Sequence, residues 1–284
     1  MTDTEKYAQV LQANIQVHSA LAHEYNGCQP HYRPENISYV EGKLRSVVEQ
    51  TSAQRLLDLG CGTGFMIDIA KRHVREVHGV DVTEAMLGRV DTTGSAKIKL
   101  FAADTGSFRV AESAYDVVTA YSFLHHLYDI DPTVSTAYKA LRPGGVFYAD
   151  LEPNYYFWQG IAALDKNREY DPVVEREIQS VLATDEQLFT AYAIDKDLFN
   201  HAEYSKNIRG GFREEELIAA LARAGFSKID VFYYWFLGQA GLVNDERFDR
   251  PVRLQMAETF SETLARGLPL TRSLFKYLGF FATK

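Results

Sequence analysis

Cysteine is scarce in this chain of 284 residues, with only Cys28 and Cys61 present. Two cysteines do not make a disulfide framework, and they do not supply the cysteine pairs of a structural zinc site. No histidine or carboxylate cluster has a convincing ligand spacing either, so we expect no metal ion. Because free thiols persist in reducing compartments, we expect a cytoplasmic protein.

Long apolar runs and basic runs are also missing. No uninterrupted apolar stretch is long enough to span a bilayer, and the first residues, MTDTEK, do not resemble a signal peptide. Acidic residues outnumber basic ones, 38 to 30, for a formal net charge of −8. Since binding to phosphate backbones requires a basic face, we expect neither a nucleic-acid partner nor a membrane partner.

What the chain does contain is a glycine-rich stretch after a short apolar run. Leu56, Leu57 and Leu59 are typical of a strand buried on both faces, and Gly60, Gly62 and Gly64 follow at alternate positions. Such a turn between a strand and a helix lets the backbone approach a ligand closely. A dinucleotide fingerprint requires glycine or alanine at position 65, where this chain has Phe65.

Strand-like and helix-like segments alternate after this stretch, which predicts an α/β fold with a mostly parallel sheet. A helical lid is expected over residues 1–50, and a helical cap insertion over the substrate pocket at 153–211, where Val174, Ile178, Val181 and Leu182 have helical spacing. The core then comprises 51–152 and 212–284. The predicted strands are Arg55–Leu59, Val77–Asp81, Ile98–Ala102, Tyr115–Tyr121, Val146–Leu151, Ile229–Trp235 and Phe275–Thr283.

Four motifs in order carry a resemblance to a known family. They follow the D-x-G-x-G-x-G run from Asp58 to Gly64 and are Asp81 after strand 2, Asp104 with its following residues after strand 3, the run from Tyr121 to Leu127 after strand 4, and Leu141-Arg142-Pro143-Gly144-Gly145. Together they resemble the class I S-adenosylmethionine (SAM)-dependent methyltransferases of the small-molecule type. The resemblance implies a seven-stranded Rossmann-like sheet with an antiparallel last strand. It also implies SAM as cofactor and S-adenosylhomocysteine as product.

The two acids have distinct expected roles in holding the cofactor. A carboxylate at Asp81 is able to accept hydrogen bonds from both ribose hydroxyls. The resemblance implies that Asp104 accepts a hydrogen bond from the adenine amino group, and we expect Arg33 to pair with the cofactor's carboxylate. The predicted cofactor-binding residues are Tyr25, Arg33, Asp58, Gly60, Cys61, Gly62, Gly64, Asp81, Val82, Met86, Asp104, Thr105 and Tyr121.

Methyl transfer from a sulfonium requires alignment, exclusion of water and, for a protonated nucleophile, a base. The adjacent pair His125 and His126 follows strand 4, and one of the two is expected to act as that base. Glu152, at the end of strand 5, is a candidate to orient a histidine or hold a substrate amine. Aromatic and basic residues near the insertions are candidates for substrate binding: Tyr32, Tyr155, Tyr156, Trp158, Tyr204, Arg213 and Trp235.

These features predict a methyltransferase that acts on oxygen or nitrogen of a small, partly apolar or aromatic molecule. Two alternatives stay open: a SAM-binding decarboxylase or cyclase that transfers no methyl group, and a SAM-sensing binding protein. The sequence does not distinguish a monomer from a homodimer, and it does not identify the substrate.

Overall fold

A computed structural model describes residues 1–165, 167–179 and 194–284. Its centre is a seven-stranded sheet in the order β3-β2-β1-β4-β5-β7-β6, in which β7 runs antiparallel to both neighbours and the other pairings are parallel. The predicted fold class is therefore confirmed. The strands are β1 Arg55–Leu59, β2 Glu76–Asp81, β3 Lys97–Ala102, β4 Tyr115–Tyr121, β5 Leu141–Pro153, β6 Lys228–Phe236 and β7 Phe275–Thr283.

Helices cover the sheet and one of its ends. The α-helices are α1 Asp3–Leu21, α2 Tyr25–Cys28, α3 Pro34–Thr51, α4 Phe65–Ala70, α5 Glu84–Leu87, α6 Asp131–Ala140, α7 Tyr155–Ala162, α8 Lys196–Ala202, α9 Glu214–Ala224, α10 Gln239–Val243 and α11 Arg250–Ala265. Short 3-10 turns lie at Pro30–Tyr32, Leu124–His126 and Arg272–Leu274, and a π-helical turn lies at Tyr204–Ile208. Residues 172–179 are also helical, whereas the predicted positions Val181 and Leu182 lie outside the described residues. Among the described residues, no helix is long and apolar enough to cross a bilayer.

The apolar strands are buried on both faces, as their sequences predict. Leu57 and Leu59 pack into one core cluster, and Leu56 packs into the other, on the opposite side of the sheet. Successive side chains of a strand point to opposite faces, so a continuous apolar run requires cover on both sides. Helix α3 packs on one of these faces, against β4 and β5.

Strand β5 is longer than its predicted range at both ends. Strand β5 begins at Leu141 because that residue already pairs with Tyr115, ahead of the Pro143-Gly144-Gly145 turn that the sequence places before the strand. The other strand limits agree within one residue, and α1 begins with a capping box between Thr2 and Glu5.

Candidate functional site

A cleft opens at the carboxyl ends of β1, β2, β3 and β4, with α1 along one side. It encloses about 880 Å³ of non-protein space, a volume that includes the open mouth of the cleft. Most of the predicted cofactor residues line it, together with one predicted substrate residue and one predicted catalytic residue. These lining residues are Tyr25, Tyr32, Gly60, Cys61, Gly62, Asp81, Val82, Met86, Asp104, Thr105, Tyr121 and His126.

Four backbone amides of the glycine-rich loop are occupied within the protein. The amides of Gly60 and Cys61 donate to the carbonyl of Val80, at 2.8 and 3.1 Å, and the amide of Gly64 donates to the carbonyl of Cys61. The Gly62 amide donates to Asp81 at 2.9 Å. A pyrophosphate cradle requires such amides to be free for phosphate oxygens. This loop therefore suits a ligand that approaches the backbone without a phosphate.

Two glycines are required for this shape. Gly60 has φ of 71°, and a Cβ there would lie 2.0 Å from the ring of Phe123. Gly62 has φ of 52° but faces open space, so glycine is required there for the backbone conformation and not for lack of room. The loop thus closes on Phe123, which the sequence does not identify as a lining residue.

Asp81 lies at the centre of the cleft and retains capacity for a ligand. One carboxylate oxygen accepts from the Gly62 amide and the other from the Thr83 amide, at 2.8 Å. Each oxygen of an ionised carboxylate has further lone-pair sites, which are available to two ribose hydroxyls. The expected diol-binding geometry is therefore compatible with the structure.

Asp104 lines the same cleft, with Met86 and Val82 beside it. The Tyr7 hydroxyl of α1 donates to Asp104 at 2.6 Å, and the other carboxylate oxygen accepts from the Gly106 amide at 3.1 Å. A ligand amino group at Asp104 would therefore share the carboxylate with Tyr7. Apolar walls with one acceptor at the edge are compatible with the adenine contact expected at Asp104.

His126 reaches the cleft in a fixed orientation. Its Nδ1 lies 2.7 Å from the carbonyl oxygen of Ala202 and must carry the proton, since a carbonyl only accepts. The Nε2 atom then has the lone pair while the ring is neutral. Burial, together with neighbouring His125, holds the pKa of His126 well below its usual value. His126 is therefore a neutral acceptor at neutral pH.

His125 lies outside the cleft and is held between two carboxylates. Its Nδ1 is 2.8 Å from Glu152, and its Nε2 is 3.7 Å from Glu203. Burial disfavours the charged ring, but the two carboxylates outweigh burial and raise the pKa of His125. The adjacent histidines therefore have opposite tendencies, with His125 charged and His126 neutral.

Glu203 completes this cluster from the π-helical segment's edge. Its carboxylate is 3.1 Å from the Lys206 ammonium and 3.6 Å from Nδ1 of His126. Burial opposes ionisation, but Lys206 and the two histidines outweigh it and lower the pKa of Glu203. His125, His126 and Glu203 together offer three atoms close enough to ligate a metal ion. Because Lys206 already compensates the carboxylate, the cluster is charge-balanced without a metal ion.

The end of the cleft near Tyr121 is aromatic. His31, 8% exposed, packs edge-on against Phe65 at 5.1 Å and Tyr121 at 5.6 Å between ring centroids. Burial lowers the pKa of His31 to about 4. No lysine or arginine of the described chain lines the cleft, so the charged groups there are carboxylates.

The buried His31 predicts a specific pH dependence of stability. Because its pKa is about 4 when folded and 6.5 in the reference state, the unfolded chain binds a proton there first. Between these values, the free energy of unfolding falls as the pH decreases. We expect the wild type to lose roughly 2–3 kcal/mol more than His31→Phe over this range. Urea denaturation of both proteins across the pH series measures the difference, and equal losses would contradict the assignment.

Several predicted site residues lie away from the cleft. Arg33 is exposed at the start of α3, and Gly64 caps α4. Asp58 is buried behind the loop, where it accepts from the Thr119 hydroxyl at 2.7 Å and burial raises its pKa to about 7. Glu152 is fully buried beneath the loop after β4. From these positions none of the four lines the cleft.

Most of the predicted substrate residues form contacts of their own. The Arg213 guanidinium lies 3.8 Å from the Tyr155 ring centroid, and Arg272 lies 3.5 Å from that of Tyr156. Tyr204 packs on Tyr128, a lining residue at the cleft mouth. Trp158 and Trp235 are partly buried and do not line the cleft.

Helix α1 contributes residues to the cleft that the sequence does not identify. Asn14 is buried and donates to the carbonyl of His126 at 2.9 Å, which fixes α1 against the loop after β4. An asparagine on the apolar side of an amphipathic helix is the sequence feature that indicates such a contact. The unpredicted lining residues include Tyr7, Val10, Leu11, Asn14, His18, His31, Thr63, Phe65, Thr83, Phe123 and Tyr128.

Comparison with known proteins agrees with this geometry. Residues 57–149 match the family model described as a methyltransferase domain. The chain is 30% identical over 128 residues to a ubiquinone biosynthesis O-methyltransferase of Hydrogenovibrio crunogenus, covering 43% of this chain and 51% of the relative. It is 26% identical over 193 residues to a probable S-adenosylmethionine-dependent methyltransferase of Mycolicibacterium smegmatis, covering 66% and 65%. The chain thus spans about half to two thirds of these relatives.

A solved structure has the same fold. The S-adenosylmethionine-dependent methyltransferase of Mesorhizobium loti superposes with a TM-score of 0.52 at 21% identity, covering 86% of this chain and 96% of that one. The sheet order, the matched domain and the sequence relatives agree with one another. Residues 57–149 thus match a methyltransferase domain, and the chain is similar to S-adenosylmethionine-dependent methyltransferases in sequence and in fold.

Proposed function

We propose that the protein transfers a methyl group from SAM to an oxygen or nitrogen of a small, uncharged, partly aromatic molecule, with a phenolic hydroxyl favoured. The observation that carries this proposal is the glycine-rich loop, in which the amides of Gly60, Cys61, Gly62 and Gly64 donate within the protein while Asp81 retains acceptor capacity for a ribose. The name of the Hydrogenovibrio relative, an O-methyltransferase, supports the choice of oxygen.

The cleft's charges support an acceptor without an anionic group. Asp81 and Asp104 are the carboxylates that line it, and no lysine or arginine among the described residues faces them. A carboxylate or phosphate on the acceptor would enter without a compensating cation, at a substantial desolvation cost. Aromatic side chains such as Tyr121 and Phe65 provide the apolar contacts for a ring instead.

The orientation of His126 supports oxygen over nitrogen. When bound, SAM supplies an activated methyl group on a positively charged sulfur. A neutral amine needs no base before attack, whereas a hydroxyl must lose its proton. His126 presents its Nε2 lone pair while Ala202 holds Nδ1, and its lowered pKa makes it a weak base. A weak base suits the more acidic hydroxyl of a phenol rather than that of an alkyl alcohol.

The same geometry supports a division of the chain. We infer that 1–50 act as the lid, since α1 contacts both Asp104 and the His126 carbonyl. The core would then comprise 51–152 and 212–284. The cap at 153–211, of which residue 166 and residues 180–193 lie outside the described chain, would contribute Ala202 and Glu203 to the histidine pair.

Replacing His126 tests its proposed role as the base. We expect His126→Gln to lower kcat by about 100-fold or more, because the base is removed. The Kd for SAM should change little, since the cofactor contacts lie at Asp81 and Asp104. Rapid-quench assays and calorimetry measure the two effects, and His23→Gln, at an exposed position, is the matched control. A kcat equal to that of the control would remove His126 from the mechanism.

A panel of acceptors tests the reaction itself. The protein is incubated with SAM and sets of phenols, amines, carboxylic acids and phosphate esters, and both S-adenosylhomocysteine and product mass are measured. Phenols should gain one methyl group and the anionic acceptors none. If SAM binds but no phenol or amine gains a methyl mass, the proposed reaction is wrong. A product formed with loss of carbon dioxide or ring closure would instead identify a reaction without methyl transfer.

A further inference from the structure

Helix α1 brings a second histidine, His18, to the cleft beside His126. The α1 residues that line the cleft are Tyr7, Val10, Leu11, Asn14 and His18. Positions 7, 11, 14 and 18 recur three or four residues apart, which places them on one side of the helix. In the proposed reaction His126 takes the proton, and His18 has no part.

The His18 ring has a fixed orientation. Its Nδ1 lies 2.9 Å from the carbonyl oxygen of Asn14, one turn earlier in α1, and must carry the proton because a carbonyl only accepts. The Nε2 atom, which is farther from the backbone, then has the lone pair while the ring is neutral. None of the described residues forms a hydrogen bond with Nε2 of His18 or of His126. Both atoms are therefore hydrogen-bond acceptors that these residues leave free for a ligand.

The two histidine rings are in contact. Their centroids are 4.7 Å apart and their planes meet at 88°, an edge-to-face arrangement. Nitrogens on two rings at this distance lie within reach of two hydroxyl groups on one small molecule, since each hydrogen bond spans about 2.8 Å. The ring centroid of Tyr25, 6.2 Å from that of His18, adds an aromatic wall. The pair thus matches an aromatic ligand that has two hydrogen-bond donors.

We propose that His18 is a second residue that binds the methyl acceptor, and that this acceptor is an aromatic ring with two hydroxyl groups close together. One hydroxyl donates to Nε2 of His126 and is methylated, and the other donates to Nε2 of His18 and is held. During transfer the first oxygen forms its bond to the methyl carbon as the carbon–sulfur bond of SAM breaks, and its proton passes to His126. The second hydroxyl keeps its proton. The role of His18 rests on the proposed methyl transfer to a phenol and narrows the acceptors of that reaction.

A second hydroxyl should therefore improve binding of the methyl acceptor. A ring with one hydroxyl leaves Nε2 of His18 without a donor, and one unformed hydrogen bond of this kind lowers affinity by about tenfold. If His18 only supported His126 by packing, its replacement would affect all phenols equally. Dependence on the second hydroxyl therefore separates contact with the methyl acceptor from a purely structural role.

Catechol and ortho-cresol test the proposal, since they differ in whether a hydroxyl or a methyl group stands beside the reacting hydroxyl. Initial rates with the full chain at saturating SAM give kcat and KM for each. We expect the wild type to favour catechol in kcat/KM by about tenfold, mainly through KM. His18→Phe keeps an aromatic ring against His126 but has no lone pair, so the preference should disappear. His18→Gln restores an acceptor oxygen and should recover part of it, and His23→Phe, at an exposed position, should keep it in full.

A wild type that methylates both compounds equally well, or a His18→Phe protein that keeps the preference, would overturn the role of His18 and leave methyl transfer to phenols standing. If the wild type methylates neither compound, the proposed reaction is wrong, and calorimetric titration of the protein loaded with S-adenosylhomocysteine decides on His18 separately. Tighter binding of catechol than of ortho-cresol that is lost in His18→Phe supports the contact, whereas equal binding or none refutes it. Circular dichroism checks that each variant is folded, and His18→Ala replaces His18→Phe if the latter does not fold.

Discussion

Asp81→Ala should raise the Kd for SAM by on the order of 100-fold or more. In the proposed complex the carboxylate accepts from both ribose hydroxyls, and each hydrogen bond to a charged group contributes about 1.5–3 kcal/mol. The substitution also releases the amides of Gly62 and Thr83, which Asp81 holds at 2.9 and 2.8 Å. Affinity and loop geometry are therefore lost together. Isothermal titration with SAM and with S-adenosylhomocysteine measures the change.

Two further variants separate these contributions. Asp81→Asn keeps one oxygen acceptor and nearly the same shape, so its loss of affinity should be intermediate. Asp230→Ala removes an exposed carboxylate on β6 and should bind like the wild type. If Asp81→Ala binds SAM as tightly as Asp230→Ala does, the ribose is held elsewhere.

Glu152→Ala should lower the free energy of unfolding by about 3–5 kcal/mol, the range for breaking a buried ion pair. Glu152 is fully buried and accepts from the backbone amides of Phe123, Leu124 and His125, at 2.8 to 3.0 Å. It also holds Nδ1 of His125 at 2.8 Å. Alanine leaves three buried amides and a charged imidazole without their acceptor. Glu152 is therefore a positioning residue that shapes the loop after β4.

Urea denaturation at neutral pH measures this loss, with Glu112→Ala as the control at an exposed position. The activity of Glu152→Ala should fall as well, because the loop contains His126. Glu152→Gln keeps one acceptor oxygen but turns an amide group toward donors, so an intermediate stability is expected. A stable Glu152→Ala protein with lost activity would instead indicate a direct chemical role.

The parts of the site that local sequence determines were predictable. A buried strand, its terminal glycines and the acids after β2 and β3 can each be recognised from a few neighbouring residues. Parallel strands then bring their carboxyl ends together at one edge of the sheet. Asp81 and Asp104 consequently line one cleft, as expected. The limits of β1, β4 and β7 followed from the same local patterns.

Contacts between distant segments were not predictable from one sequence. Tyr7 reaches Asp104 across 97 positions, and Asn14 reaches His126 across 112. Nothing in the helical spacing of α1 indicates which strand end it covers. Likewise, Tyr155 and Tyr156 have the composition of a substrate wall, but Arg213 and Arg272 lie over their rings. Aromatic residues that follow a site-forming strand in the sequence therefore need not line the pocket. Here the neighbouring arginines pack on their rings away from the cleft.

The histidine pair was predictable in its position but not in its chemistry. Its place after β4 was predictable, but the difference between the two rings depends on Ala202 and Glu203, which lie more than 70 positions away. Those partners assign the charge to His125 and the open lone pair to His126. The sequence alone leaves the two residues equivalent.

Calorimetric titration of the purified protein with S-adenosylhomocysteine, and in parallel with NADH, tests the central claim most directly. The occupied amides of Gly60, Cys61, Gly62 and Gly64 and the free acceptor sites of Asp81 predict one equivalent of S-adenosylhomocysteine bound with micromolar affinity and no heat with NADH. Binding of NADH, or absence of S-adenosylhomocysteine binding at millimolar concentration, would contradict the assignment of the cleft to an adenosyl sulfonium.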